Sequence, residues 1–458
     1  MRHVVVIGNG ITGVTAARNL RKRTRDEITI ISEETPHFFS RPALMYIYMG
    51  HMSYRDTKPY EDGFWEKNRI CLVHDTVERV DPCAKKLDLR KGGAVSYDKL
   101  VIASGSKSNR FGWPGEDLEG VQGLYSYQDV EALERSTRAE VERAVIVGGG
   151  LIGIEMAEML LARGIPVTFL VREERFWEIV LPREESLLIE RHMAEHRVDL
   201  RLRTELKEIL PDAAGRARAV VTSGGETIPC RVVGLTAGVS PNVAFLQGSG
   251  IETDRGVLVN EFFETSRPDV YAGGDCAQFR EPPAGRRPVE QVWYTGKMHG
   301  EHIAANLCGD RSPYRPGVWF NSAKFFDIEY QTYGTVPGRL PEDEETLYWE
   351  DPDGKKALRI NWRKADRAVT GFNLLGIRGR HTVCERWIAD GAAVEQVVAN
   401  LGALNFDPEF FRPFETEVLA AFNRRDPRRP VRLSTRKGLF SGYMASLFRS
   451  PGQGSDRP

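Results

Sequence analysis

Apolar residues in the first third of the chain come in short unbroken runs. "HVVVIG" at residues 3 to 8 is one, "ITGVTAARNLRKR" follows with helical spacing, and "EITIISEE" is strand-like again. Such runs between turn signals read as buried strands, and the 3.6-residue spacing between them reads as a helix. Strand, glycine turn, helix and strand therefore span residues 3 to 34. Residues 144 to 174 repeat the plan with "RAVIVG", "LIGIEMAEMLLARG" and "PVTFLVREE". Between the two units, "YDKLVIASGSK" reads as a buried strand ending in a small-residue turn, and "RFGWPGEDLEG" as a Gly- and Pro-rich linker. "RVVGLTAGVSPN" and "RPDVYAGGDCAQ" are further strand-and-turn segments, and a helix is predicted through "YTGKMHGEHIAANL". From about residue 325 the texture changes to alternation, in "ETLYWE", "KALRINWR" and "AVTGFNLLG", which predicts a small antiparallel sheet. The last 40 residues are polar and basic with a weaker pattern.

Composition narrows the class. The 458 residues suffice for roughly three domains. A net charge of −1 gives no reason to expect nucleic acid as a partner. No stretch approaches the ~20 apolar residues of a membrane span, and the opening run is too short for a signal peptide. The six cysteines (Cys71, Cys83, Cys230, Cys276, Cys308, Cys384) are scattered without a CxxC pair, which argues against a zinc site and a disulfide framework, and no metal is expected. A reducing cytoplasm is the expected location.

The two glycine turns carry the chemistry. Gly8, Gly10 and Gly13 form GxGxxG directly after a strand and before a helix. The first glycine allows the tight turn, the second lets a pyrophosphate approach the backbone, and the third lets helix and strand pack closely. The helix N-terminus then faces the phosphates. An acid about 20 residues on holds the ribose hydroxyls, and Glu33 stands there. Gly148, Gly150 and Gly153 repeat the turn, but their second strand ends in "VREER", with Val171 and Arg172 where an acid would stand. Arg172, with Arg175, would attract a 2′-phosphate, which favours NADPH over NADH; the other reading leaves Arg172 in solvent and gives the ribose to Glu173 or Glu174. Two nucleotide turns in one chain suggest electrons passing from one nucleotide to another.

With these motifs in place the chain resembles the FAD-dependent pyridine nucleotide oxidoreductases with two dinucleotide-binding domains. Within them it is most similar to ferredoxin and rubredoxin reductases of the oxygenase-system type. The resemblance implies an α/β fold of two Rossmann-like three-layer domains, the FAD domain split by the NAD(P) domain, and a C-terminal α+β domain. The implied boundaries are 1–113 and 247–324 for FAD, 114–246 for NAD(P), and 325–458 for an interface domain with a basic tail. In "ITIISEETPHFFSRPAL" it implies that Arg41 and Pro42 line the FAD site. In "IASGSK" it gives Ala103 and Gly105 a place in the turn closing the first FAD segment, and in "YAGGDCA" it gives Gly274 and Asp275 the ribityl or pyrophosphate region. Trp293, opening "WYTGKMHGEHIAANL", would lie near the flavin, and Glu155 near the reacting centre.

Two departures accompany the likeness. The lysine that pairs with the glutamate in the resembled reductases is replaced by Tyr46, and a buried Glu155 without its cation tends to hold a proton. Asn321 stands where an aromatic residue opens the third domain in that group. Residues 38 to 50, "FFSRPALMYIYMG", lack the cysteine used by the disulfide, peroxide and coenzyme-A branches, so electrons are expected to leave directly for an external acceptor. An acidic ferredoxin or rubredoxin attracted by "NRRDPRRPVRLSTRK" (423 to 437) is the expected partner. Two alternatives stay open. One is a quinone reached at a membrane surface through "GLFSGYMASLF" (438 to 448), as in type-II NADH:quinone dehydrogenases. The other is a slow redox sensor like apoptosis-inducing factor. The sequence also leaves homodimerisation through the C-terminal sheet open.

Overall fold

Two parallel five-stranded sheets with one plan carry the first two-thirds of the chain. The computed structural model describes residues 1–406 and 413–434. In the first sheet Val270–Ala272, Lys99–Ile102, His3–Ile7, Glu27–Ser32 and Ile70–His74 lie side by side. In the second the order is Asp199–Arg201, Val167–Leu170, Ala144–Val147, Val232–Leu235 and Val121–Gln122. Strands covered on both faces need apolar residues at every position; Val4, Val5, Val6, Val145 and Ile146 are all fully buried. In both sheets the strand before the glycine turn lies between a later strand and the next one in sequence. The chain reverses direction there, which opens a crevice at the strands' carboxyl ends.

Four of the helices position the site: α1 (Ile11–Arg23), α2 (Leu151–Ala162), α3 (Arg183–Glu195) and α4 (Trp293–Leu307). Helix α4 crosses α1 at Thr12. A Cβ on Gly300 would lie 2.4 Å from the Thr12 carbonyl oxygen, and one on Gly296 2.9 Å from Thr12 Oγ1. The glycines in "YTGKMHGEHIAANL" thus let the returning segment dock against the first nucleotide unit. A short antiparallel ribbon of Ser106–Ser108 and Val239–Pro241 joins the two units.

Two small antiparallel sheets were not visible in the hydrophobic pattern: Val77–Asp81, Lys86–Leu89 and Ala94–Ser96, and Leu206–Pro211, Ala217–Thr222 and Thr227–Pro229. Several of these strands are short and half exposed, so charged side chains interrupt the apolar run. The predicted C-terminal sheet is present and has five strands, in the order Phe320–Phe325, Ile328–Gly334, Val369–Leu375, Ala357–Arg363 and Glu344–Glu350. It begins at Phe320, ahead of the change in texture, because "FNSAKF" is polar on one side. Among the described residues no helix is long and apolar enough to cross a membrane.

The C-terminal sheet docks on the second nucleotide unit through its own alternation. In Ala357–Arg363, Leu358, Ile360 and Trp362 pack into the sheet's own core, while Ala357 packs with residues of the second nucleotide unit. Arg359, on the same side as Ala357, meets α3. Its Nε and Nη2 donate to the two oxygens of Glu185 at 2.6 and 2.8 Å, and Nη2 donates to Glu184 at 2.7 Å. Glu185 is fully buried. Removing one member of a buried pair strands the other charge at a cost of about 3–5 kcal/mol, whereas replacing both by apolar residues costs far less. Arg359→Ala should lower stability by that amount in urea unfolding, and Glu185→Leu/Arg359→Met should recover most of it.

Candidate functional site

At each nucleotide turn the glycines meet three different demands. Gly8 has φ +103°, and a Cβ there would lie 2.2 Å from the Ala103 carbonyl oxygen. Gly13 would strike the Gly8 carbonyl at 2.1 Å. A Cβ on Gly10 meets nothing within 4 Å, so that glycine faces open space at the N-terminus of α1. A free backbone surface beside unsatisfied helix N–H groups suits an anion. The second turn repeats this. Gly148 (φ +118°) is closed in by Thr236 and Gly153 by Phe169, whereas the nearest atom to a Cβ on Gly150 is Trp177 Nε1 at 3.9 Å. Thr236 Oγ1 donates to the Val147 carbonyl at 3.0 Å and locks the strand end.

Around the first turn, residues distant in sequence form one cluster. Gly105 (φ +69°) lies under the Tyr125 hydroxyl, which donates to Asp275 Oδ2 at 3.1 Å and accepts from the Ser106 amide at 2.9 Å. The Arg41 guanidinium covers the Tyr125 ring at 4.5 Å, donates to the Tyr125 carbonyl, and forks onto Glu34 at 2.9 and 2.5 Å. Burial opposes charge on Arg41, but the Glu34 carboxylate outweighs it and raises the pKa. Burial raises Asp275, against the pull of Tyr125 and Arg41. Pro42 follows Arg41 in the same 3-10 turn, Arg41–Ala43. Glu33 stands exposed just beyond Glu27–Ser32. Gly274 (φ +75°) packs against Thr12. Trp293 opens α4, and its buried Nε1 has no protein partner. The same segment is braced from below by the buried Arg286–Glu290 pair at 2.5 Å.

Arg172 and Arg175 lie just past Val167–Leu170. Arg172 is 71% exposed and donates from Nε to Glu173 at 2.7 Å; Arg175 pairs with Glu178 at 3.1 Å. Glu155, one turn into α2, has no hydrogen-bond or ion-pair partner among the described residues. Burial, and then the charge of Glu158, push its carboxyl up to about 7. Tyr46 stacks on His51 instead. A cation does approach this end of α2 from elsewhere: Lys324, in Phe320–Phe325, donates to Glu158 at 2.7 Å.

Four participants escaped the sequence reading. Tyr125, Lys324 and Thr236 are ordinary residue types outside any motif. His299, buried within α4, accepts the Gly274 amide on Nδ1 at 3.1 Å; burial and then nearby Arg286 depress it to about 3, which keeps it a neutral acceptor. Cys276, beside Asp275, points its thiol at the Ile102 and Gly273 carbonyls in the core. All six cysteines are free.

Comparison with known proteins decides the family. The model for pyridine nucleotide-disulphide oxidoreductases matches residues 2–300. The chain belongs to that family. It is an oxidoreductase, and its family implies FAD and a nicotinamide nucleotide as cofactors. It is 31% identical to the rhodocoxin reductase of Rhodococcus erythropolis, across 73% of this chain and 78% of the relative. It is 30% identical to the ferredoxin–NAD(+) reductase component of the p-cumate 2,3-dioxygenase system of Pseudomonas putida, across 86% and 94%. Among solved structures, the NADH:rubredoxin oxidoreductase of Clostridium acetobutylicum superposes with a TM-score of 0.69 at 25% identity, covering 86% of this chain and 96% of that one. Within a family named for disulphide chemistry, this member has no cysteine pair at the first nucleotide cluster.

The environment of Glu155 has a measurable consequence. An unfolded glutamate releases its proton near 4.5, whereas the folded chain holds this one to about 7. The folded state therefore binds more protons across that window, and stability falls as pH rises through it, by up to about 3 kcal/mol. Glu155→Gln should flatten that decline. Urea midpoints of wild type and variant at about pH 5 and pH 8 check it, and parallel behaviour would remove the assignment.

Proposed function

We propose that this chain is an FAD-dependent NAD(P)H oxidoreductase that delivers electrons to a small acidic iron–sulfur or rubredoxin-type protein, with no thiol relay. The observation carrying the reading is the pairing of two open-faced glycine turns with a first-turn cluster free of any redox cysteine. Gly8, Gly10, Gly13 and Glu33 would hold the adenosine diphosphate of FAD, and Arg41, Pro42, Ala103, Gly105, Gly274, Asp275 and Trp293 its remainder. FAD supplies the exchange between two-electron hydride chemistry and one-electron transfer. The chain supplies placement. The helix N-termini of α1 and α2 would face the two pyrophosphates, Asp275 is oriented by Tyr125, and the Gly274 turn is held by neutral His299. Glu155 is the candidate catalytic group, a carboxyl that holds its proton near neutral pH.

Gly148, Gly150 and Gly153 would hold the nicotinamide nucleotide, and Arg172 with Arg175 would favour NADPH through its 2′-phosphate. Glu173, bonded to Arg172, competes for the same ribose position, so NADH remains a usable donor. For the acceptor, Arg428, Arg429 and Arg432 are exposed on a segment pinned by Asn423, which bonds both the amide and the carbonyl of Val431. Such a basic edge draws an acidic carrier and speeds encounter. Residues 435–437 of the basic run and the apolar stretch 438–448 lie outside the described residues.

Stopped-flow reduction by NADPH and NADH, followed by a panel of acceptors, tests this reading. Ferredoxin- or rubredoxin-type proteins should be reduced rapidly, and turnover should survive alkylation of exposed Cys71 and Cys83; rapid reduction of disulfides alone would overturn it. Arg172→Glu should raise KM for NADPH about tenfold or more while changing that for NADH far less; equal effects would remove the arginine's role. Asp275→Ala should purify with less flavin, and full retention would count against its assignment.

A further inference from the structure

Far along α3 from the Glu185–Arg359 contact, the same helix brings two imidazoles against a carboxylate of the C-terminal sheet. His192 lies in the last turn of α3 and His196, four residues on, is the residue that ends the helix just past Glu195. Asp327 sits in the tight turn between Phe320–Phe325 and Ile328–Gly334. Its Oδ1 lies 2.5 Å from His192 Nε2 and 3.2 Å from His196 Nε2. One ligand atom from each residue lies within 4.8 Å of the others.

We propose that His192, His196 and Asp327 form a binding site for a zinc-class divalent cation that staples the second nucleotide unit to the C-terminal sheet. Two observations point to a ligand rather than to a simple ion pair. His192 is only 2% exposed, and its buried Nε2 meets no protein acceptor but the Asp327 carboxylate, in ion-pair contact at 2.5 Å. His196 is held for the task, its ring stacked on Phe326 at 4.2 Å and 12°. Two imidazoles and one carboxylate suit Zn²⁺, whose tetrahedral sites take nitrogen and oxygen donors at about 2.0–2.2 Å and leave a fourth position to water.

The surroundings supply the second layer such a site needs. Glu195 Oε2 lies 3.3 Å from His192 Nδ1 and can accept that N–H once Nε2 ligates a cation, the arrangement that orients metal-bound histidines. Lys355 Nζ now lies 2.8 Å from the same Nδ1 and also pairs with Glu195. Its side chain is partly exposed, so it can give up the imidazole while keeping the carboxylate. Asp327, 68% exposed, leaves the site open to solvent for entry.

The full-length chain, treated with EDTA and desalted, should bind one equivalent of Zn²⁺ on calorimetric titration with zinc chloride, and Mg²⁺ should give no such binding. His196→Ala and Asp327→Asn, both at accessible positions, should each weaken binding at least tenfold while keeping their flavin content. Zinc should also raise the thermal midpoint of wild type and leave that of His196→Ala unmoved. Absence of stoichiometric binding, or binding unchanged by both substitutions, overturns the proposal. None of these readouts depends on the donor nucleotide or the electron acceptor.

Discussion

At both nucleotide turns backbone meets backbone with no room for a side chain, and the candidate site is arranged around those contacts. At Gly8 the neighbouring strand brings the Ala103 carbonyl to where a Cβ would be, and at Gly148 Thr236 does the same. These contacts let a central parallel strand turn straight into a helix whose first N–H groups face the crevice. Gly10 and Gly150 then leave that crevice open. A methyl group at Gly8 or Gly148 would force the strands apart at the point where the sheets must stay closest.

Charge around α2 is distributed in an unusual way. Glu155 has no cation, and Glu158, one turn on, takes the only lysine that the C-terminal sheet extends to this helix among the described residues. The lysine therefore compensates the neighbour and leaves Glu155 to be governed by burial. A carboxyl poised near neutrality beside a nucleotide turn can take up or release a proton as the charge of its surroundings changes. The C-terminal sheet thus meets this helix through an ammonium group that pairs with Glu158 and not with Glu155.

Much of this was legible in the sequence because the constraints concerned are local. Gly8, Gly13, Gly148 and Gly153 answer to atoms of the strand–turn–helix–strand unit or of the segment beside it, and the acid or arginine at the second strand's end follows at a set spacing. The antiparallel C-terminal sheet declared itself by alternation. Contacts between distant segments left no such trace. Tyr125 joins Arg41 to Asp275 from a stretch with no motif, Lys324 belongs to a strand that reads as polar, and Arg359 is buried in a position where arginine is expected to be solvated. The short outer sheets were missed for a related reason: half-exposed strands carry too few apolar residues to show a period.

The buried contact between Glu185 and Arg359 also constrains how the molecule can diverge. Neither residue can drift alone, since either change leaves an uncompensated charge sealed between α3 and the C-terminal sheet. A chimaera whose new C-terminal sheet lacked an arginine at this position would strand Glu185 unless α3 came with it. The natural module for transplantation is therefore the sheet together with the helix it rests on, even though the chain encodes them more than a hundred residues apart.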